Sequence, residues 1–169
     1  MPDKETTSFM RSLCMGQIEQ ELLFPFPVLP PEQRETLREI AGALEDLLGP
    51  HGEDFRAWDV SGGLPAEFIE EIRAFGLFGL VIPEEFGGLG LGSMAYSRTL
   101  QEVGRYDASV AVTVGAHSSI GMRGLLLHGN EEQRRRFYPR LASGEMIAAY
   151  CLTEPGAGSD AAAIKTRAV

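Results

Sequence analysis

Apolar residues recur at helical spacing along most of the chain and gather at strand-like density only near its end. Leu37, Ile40, Ala41, Leu44, Leu47 and Leu48 share one face, with Glu35, Arg38, Glu39, Glu45 and Asp46 mostly turned outward. Pro31 suits the first turn of this helix, and Gly49-Pro50 stops it. A second periodic run begins near Pro65, gathers Phe68, Ile69, Ile72 and Phe75, and meets a stop signal at Gly76. Further helices are predicted from an N-cap at Ser93 to about Val103, and from an N-cap at Asp107 through Ala116. Another opens at Ser118 or Ser119 and runs to about His128, and Asn130 with Gln133 makes a capping box for the next.

Ahead of these, Thr7 to Gln20 reads as a short first helix. The prolines between Phe24 and Pro31 favour an extended connector. His51 to Gly63 is polar and irregular and reads as a loop or frayed segment. Met146 to Thr153 is the first convincing strand. The pattern predicts a mainly α protein in three parts: a helix and Pro-rich connector over 1–30, an all-α domain over 31–145, and the first edge of a β domain over 146–169. A lone strand cannot satisfy its own backbone, so the last part needs strands from elsewhere. The sequence reads as the N-terminal part of something longer, or as a truncated product.

Composition narrows the function classes. A chain of 169 residues, 44% hydrophobic, suits one domain with a proper core. A formal charge of −9 argues against nucleic acid or an anionic membrane as partner. Arg134, Arg135 and Arg136 share a short helix with Glu131 and Glu132 and read as a solvated face. Cys14 and Cys151 lie far apart, so neither a zinc site nor a redox pair is indicated, and Cys151 reads as a buried, inert thiol. Met1 to Glu5 lacks the features of a signal peptide and is too acidic for a typical mitochondrial presequence. No segment approaches a membrane span, and a soluble, reducing compartment fits best. His117, alone on a mostly apolar helix, reads as a hydrogen-bonded core residue. The Gly87-Gly88-Leu89-Gly90 loop resembles a phosphate cradle, but a structural turn is the stronger reading.

The candidate chemistry sits in Tyr150-Cys151-Leu152-Thr153-Glu154-Pro155-Gly156-Ala157-Gly158-Ser159-Asp160. Gly156 and Gly158 let a ligand approach the backbone, Thr153 and Ser159 add hydroxyls, and successive turn amides can face a polar or anionic group. A turn with nothing bound is the bland alternative. The run is neither a Walker loop nor a dinucleotide fingerprint.

Leu152-Thr153-Glu154-Pro155 followed by Gly158-Ser159-Asp160 resembles the flavin-binding signature of acyl-CoA dehydrogenases. Ile82 to Gly90, Gly115 to Gly121, Gly129 to Gln133 and Tyr138 to Glu145 resemble other stretches of the same family, in the same order. Phe24-Pro25-Phe26-Pro27, with Gly16-Gln17-Ile18 ahead of it, is similar to the very-long-chain branch. The resemblance implies the family's N-terminal helical domain joined to the first strand of its middle β domain, FAD as cofactor and a long-chain fatty acyl-CoA as substrate. In that family a glutamate takes the α proton of the thioester while the β hydrogen leaves as hydride to the flavin.

By the same resemblance, Tyr150 to Ser159 hold the flavin, with Thr153 at its N1 and C2-carbonyl edge, and Ser159 also meets the substrate. Glu154 is a structural hydrogen-bonder. The family's catalytic glutamate and its Trp-x-Ser/Thr flavin contact have no match here, so no catalytic residue is assigned and the chain alone should not turn over acyl-CoA. The small residues between Ala108 and Gly124 permit either close helix packing or a tunnel for a long acyl tail. The resemblance further implies an electron-transfer flavoprotein partner, homo-oligomers, and a bacterial cytoplasmic or mitochondrial-matrix setting. Two rivals stay open: a catalytically inactive scaffold or assembly protein, and a flavin monooxygenase or oxidase on the same fold.

Overall fold

The leucine-rich run forms one long helix, α2 (Pro31–Leu48), in the computed structural model, which describes residues 8–26 and 28–167. Pro31 occupies its first turn, and Leu44 and Leu48 are wholly buried. α2 lies against α5 (Ser93–Tyr106), which in turn packs on α6 (Ala108–Ala116). Together with α4 (Ala66–Phe75) and the tight turn Leu77–Gly79 they enclose the main core, including Phe68, Ile72, Phe78, Val103, Val110 and Val114. A second core gathers Ile82, Met122, Tyr138, Leu141 and Ala142 beneath α8 (Glu131–Ala142). Gly76 ends α4 with φ of 90°, as its position predicts.

Several elements depart from the sequence expectation. The first helix, α1, covers only Phe9–Cys14, and Gln20–Leu22 makes a separate 3₁₀ turn. Thr7, Pro27 and Met1 to Glu5 lie outside the described residues. The segment read as a loop holds α3 (Asp54–Ser61), because Phe55 and Trp58 both dock on Phe68 of α4, with ring centroids 5.5 and 4.9 Å away. With Val60 exposed, the two inward rings are too few to announce a helix by periodicity, and tertiary contact supplies the rest.

The N-cap of α5 is Gly92, and Ser93 is already helical. Asp107 does cap α6, accepting a 2.8 Å bond from the Val110 amide. Neither Ser118 nor Ser119 opens a new helix. The chain passes from α6 through a π turn, His117–Gly121, into α7 (Arg123–His128). The run Ala108–His128 is therefore 21 residues long and holds an 18-residue window with a mean hydropathy of 1.3, which meets the length and composition of a membrane span. Splitting it at the serines hides that length. Here Val110, Val114, His117 and Met122 on this run are buried in the bundle.

The Asn130–Gln133 capping box is present, with reciprocal bonds of 2.8 and 2.9 Å. Arg135 pairs with Glu131 on the exposed face of α8. The predicted strand Met146 to Thr153 is not one, and among the described residues the only bridge joins Glu154 and Ala157. No neighbouring strand exchanges hydrogen bonds with it, and a ladder needs two partners.

Candidate functional site

Two contacts shape the glycine-rich segment, and only the first comes from the helical body. The first is His117, fully buried on the π turn. Its Nδ1 accepts the Ala148 amide at 2.9 Å, so the proton sits on Nε2, which faces the Phe78 and Leu141 carbonyls at 3.2 Å each. One ring thus joins the turn after α4, the end of α8 and the segment leading to the candidate site. Burial pushes its pKa below the ordinary imidazole value, and the two carbonyl acceptors only partly oppose this. Gly121 completes the contact. A Cβ there would stand 2.7 Å from the Ala148 carbonyl oxygen, so this small residue serves close packing.

The second point is Glu154. Its carboxylate accepts the Lys165 amide at 2.6 Å, the Thr166 amide at 3.1 Å and the Thr166 hydroxyl. These bonds hold its pKa below the ordinary carboxylate value, the Thr166 hydroxyl contributing most. The carboxylate closes residues 154–166 into a loop, as expected of a structural hydrogen-bonder.

Between these anchors the donors are unspent. Among the described residues, the amides of Tyr150, Cys151, Leu152 and Thr153 and the Thr153 and Ser159 hydroxyls have no partner within the chain. Glu154 and Ala157 exchange backbone bonds of 3.2 and 3.0 Å, turning the chain through Pro155 and Gly156. A Cβ on Gly156 or Gly158 would meet nothing within 4 Å. Ala157 alone is buried, while Tyr150, Cys151, Leu152, Thr153, Pro155, Gly156, Gly158 and Ser159 are exposed. Cys151 is thus not the buried thiol its apolar neighbours suggested, because no element packs over this segment. Four clefts among the described residues lie elsewhere, and none of them is lined by residues 150–159.

The Gly87-Gly88-Leu89-Gly90 loop is a structural turn, as its sequence suggests. A Cβ on Gly88 would fall 2.0 Å from the Ile82 carbonyl oxygen, and the amides of Leu89, Gly90 and Leu91 bond to Gly79, Ile82 and Leu80. No donor there is left for a phosphate.

A family profile described as "Acyl-CoA dehydrogenase, N-terminal domain" matches residues 30–145. The chain belongs to the acyl-CoA dehydrogenase family. It is 39% identical over 166 residues to the mouse protein named very long-chain specific acyl-CoA dehydrogenase, mitochondrial, covering 98% of this chain and 25% of that one. It is also 39% identical over 105 residues to an acyl-CoA dehydrogenase of Bacillus subtilis, covering 62% of this chain and 28% of that one. A solved acyl-CoA dehydrogenase complexed with FAD from Bacillus anthracis superposes with a TM-score of 0.65 at 37% identity, over 82% of this chain and 24% of that one. The chain spans about a quarter of the length of the curated acyl-CoA dehydrogenases it matches. Its relatives include mitochondrial and bacterial proteins.

One group escaped the sequence reading. Tyr96, Ser118, Ser119 and Arg123 face a cleft beside the π turn, away from the acyl-CoA dehydrogenase signature. The available signal was Arg123 itself, a lone cation inside the apolar run Ile120 to Leu127.

Proposed function

We propose that this chain is the N-terminal part of an FAD-dependent acyl-CoA dehydrogenase that removes hydrogen across the α and β carbons of long-chain fatty acyl-CoA thioesters. In this reading residues 31–145 form the helical domain and 146–169 begin the middle β domain, with the catalytic glutamate outside this chain. The observation that carries it is the row of unspent donors between the His117–Ala148 anchor and the loop that Glu154 closes on Thr166. Family membership gives those donors an occupant.

The residues present fit FAD. Open space at Gly156 and Gly158 lets a ligand reach the backbone, and the free amides supply donors without rearrangement. Tyr150, Cys151, Leu152, Thr153, Glu154, Pro155, Gly156, Ala157, Gly158 and Ser159 would form its cradle. Bound there, FAD would supply a hydride acceptor for the acyl β carbon. Thr153, through its hydroxyl and amide, would hold the ring edge where negative charge gathers. The amides of Gly156, Gly158 and Ser159 would hold the phosphate-bearing chain, that of Ala157 being spent on Glu154, and the Ser159 hydroxyl would also orient the substrate. Glu154, its oxygens committed to Lys165 and Thr166, would keep this loop in shape and take no proton from the substrate.

The partners that follow are a fatty acyl-CoA and an electron-transfer flavoprotein, with the protein working as a homo-oligomer. The setting is the cytoplasm of a bacterium or the matrix of a mitochondrion. In the enzyme that carries this segment, Thr153→Ala should shift the flavin potential and slow flavin reduction by acyl-CoA. An unchanged reductive half-reaction would reject the role given to Thr153.

A further inference from the structure

One ring ties α3 to α4. His51 ends the 3₁₀ turn Gly49–His51, directly after α2. Its Nδ1 lies 3.2 Å from an Asp54 oxygen at the start of α3, and its Nε2 lies 3.1 Å from a Glu71 oxygen on α4. A neutral imidazole carries one donor and one acceptor, so it can serve only one of these carboxylates. Its lone pair would then face the oxygen lone pairs of the other. Only the imidazolium, with two donors, satisfies both. The rings of Phe68 and Trp58 stand 5.1 and 5.3 Å away, close enough to favour a cation. Among the described residues no further charged group of α2, α3 or α4 pairs with the ring. Partial burial works against its charge, but the bonds and charges of Asp54 and Glu71 outweigh it, and the pKa is raised.

We propose that His51 is a proton-operated clasp: as the imidazolium it draws α3 onto α4, and on losing its proton it releases α3. The sign is opposite to that of a histidine buried in the neutral form. The clasp is fully closed below the unfolded value of 6.5 and gives way as the pH rises through the folded pKa. α3 is the element such a clasp can move, since it has eight residues and only Phe55 buried. Phe55, Trp58, Asp59 and Gly62 wall a cleft of about 490 Å³ against Ser109 and Thr113 of α6. Release of α3 therefore widens this cleft and uncovers Phe68, on which both aromatic rings sit. Asp54 and Glu71 are about half exposed, so salt should weaken the clasp. None of this depends on the flavin reading.

Ring-proton and amide spectra of the full chain, from mildly acid to mildly alkaline pH, test the clasp. The His51 ring should titrate with a midpoint above 6.5. Across that midpoint the α3 amides, corrected for intrinsic exchange, should lose protection, about tenfold for each unit by which the midpoint exceeds 6.5. Trp58, the only tryptophan, should change its emission at the same midpoint. Asp54→Asn and Glu71→Gln should each lower the midpoint, and so should high salt. His51→Gln should make α3 protection independent of pH. A midpoint at or below 6.5, α3 protection that stays flat through the midpoint, or an unaltered pH profile in His51→Gln would each overturn the proposal. Should His51→Gln fail to fold, the carboxylate variants decide, and a midpoint unmoved in both overturns it.

Discussion

His117 decides more than its size suggests. Its buried ring satisfies one amide and two carbonyls from three separate stretches of chain. Replacing it with Leu would keep most of the volume and strand those groups. We expect a loss of about 3 kcal/mol in denaturant unfolding. The same ring sets a pH dependence. Because its folded pKa lies below the unfolded value of 6.5, the unfolded state binds the proton more readily. The contribution of His117 is thus fully present above pH 6.5 and declines as the pH falls through and below that value. Stability measured across this range in the wild type and the Leu variant should converge toward acid. Parallel curves would contradict the buried neutral ring.

Among the elements, α3 depends most on its neighbours. Trp58 touches Phe55, Phe68 and His51, with ring centroids between 4.9 and 5.4 Å. His51 in turn bridges Asp54 of α3 and Glu71 of α4 at 3.2 and 3.1 Å. Trp58→Ala should therefore cost about 2 kcal/mol and lower helical ellipticity, because an eight-residue helix has little stability of its own. The elements with long apolar stripes or strong caps, α2, α4 and α8, were legible from the sequence. So were the Asp107 cap and the Gly76 stop. α3 was not, since its helicity comes from contacts with α4, remote from its own pattern. The strand expected after Met146 failed for the opposite reason, its β-prone residues having no ladder to join. The candidate loop was legible as a motif, whereas the cleft at Tyr96 and Arg123 required three elements brought together in space.

Across the whole molecule, order falls from the two cores toward the segment 149–153. Hydrogen exchange should reflect this: slow at Val110, Val114 and Leu141, fast at Tyr150 to Thr153, and slow again at Lys165 and Thr166. Glu154→Ala should release those last two amides without touching the cores. Acid should do the same. The folded Glu154 pKa is lowered, so its hold is complete above the unfolded value of 4.5 and is lost as pH falls through the folded one. Slow exchange at Lys165 in the Ala variant would show that some other contact secures the loop.

A wide helical turn carries one residue more than the α turn it replaces. The helix that leaves it is thus about 100° out of phase with the one that entered. Deleting any single position between 117 and 121 would restore a seamless spiral and swing everything beyond it, rotating Met122 out of its core and Arg123 away from Tyr96. The phase of this helix is kept by the number of residues in that turn.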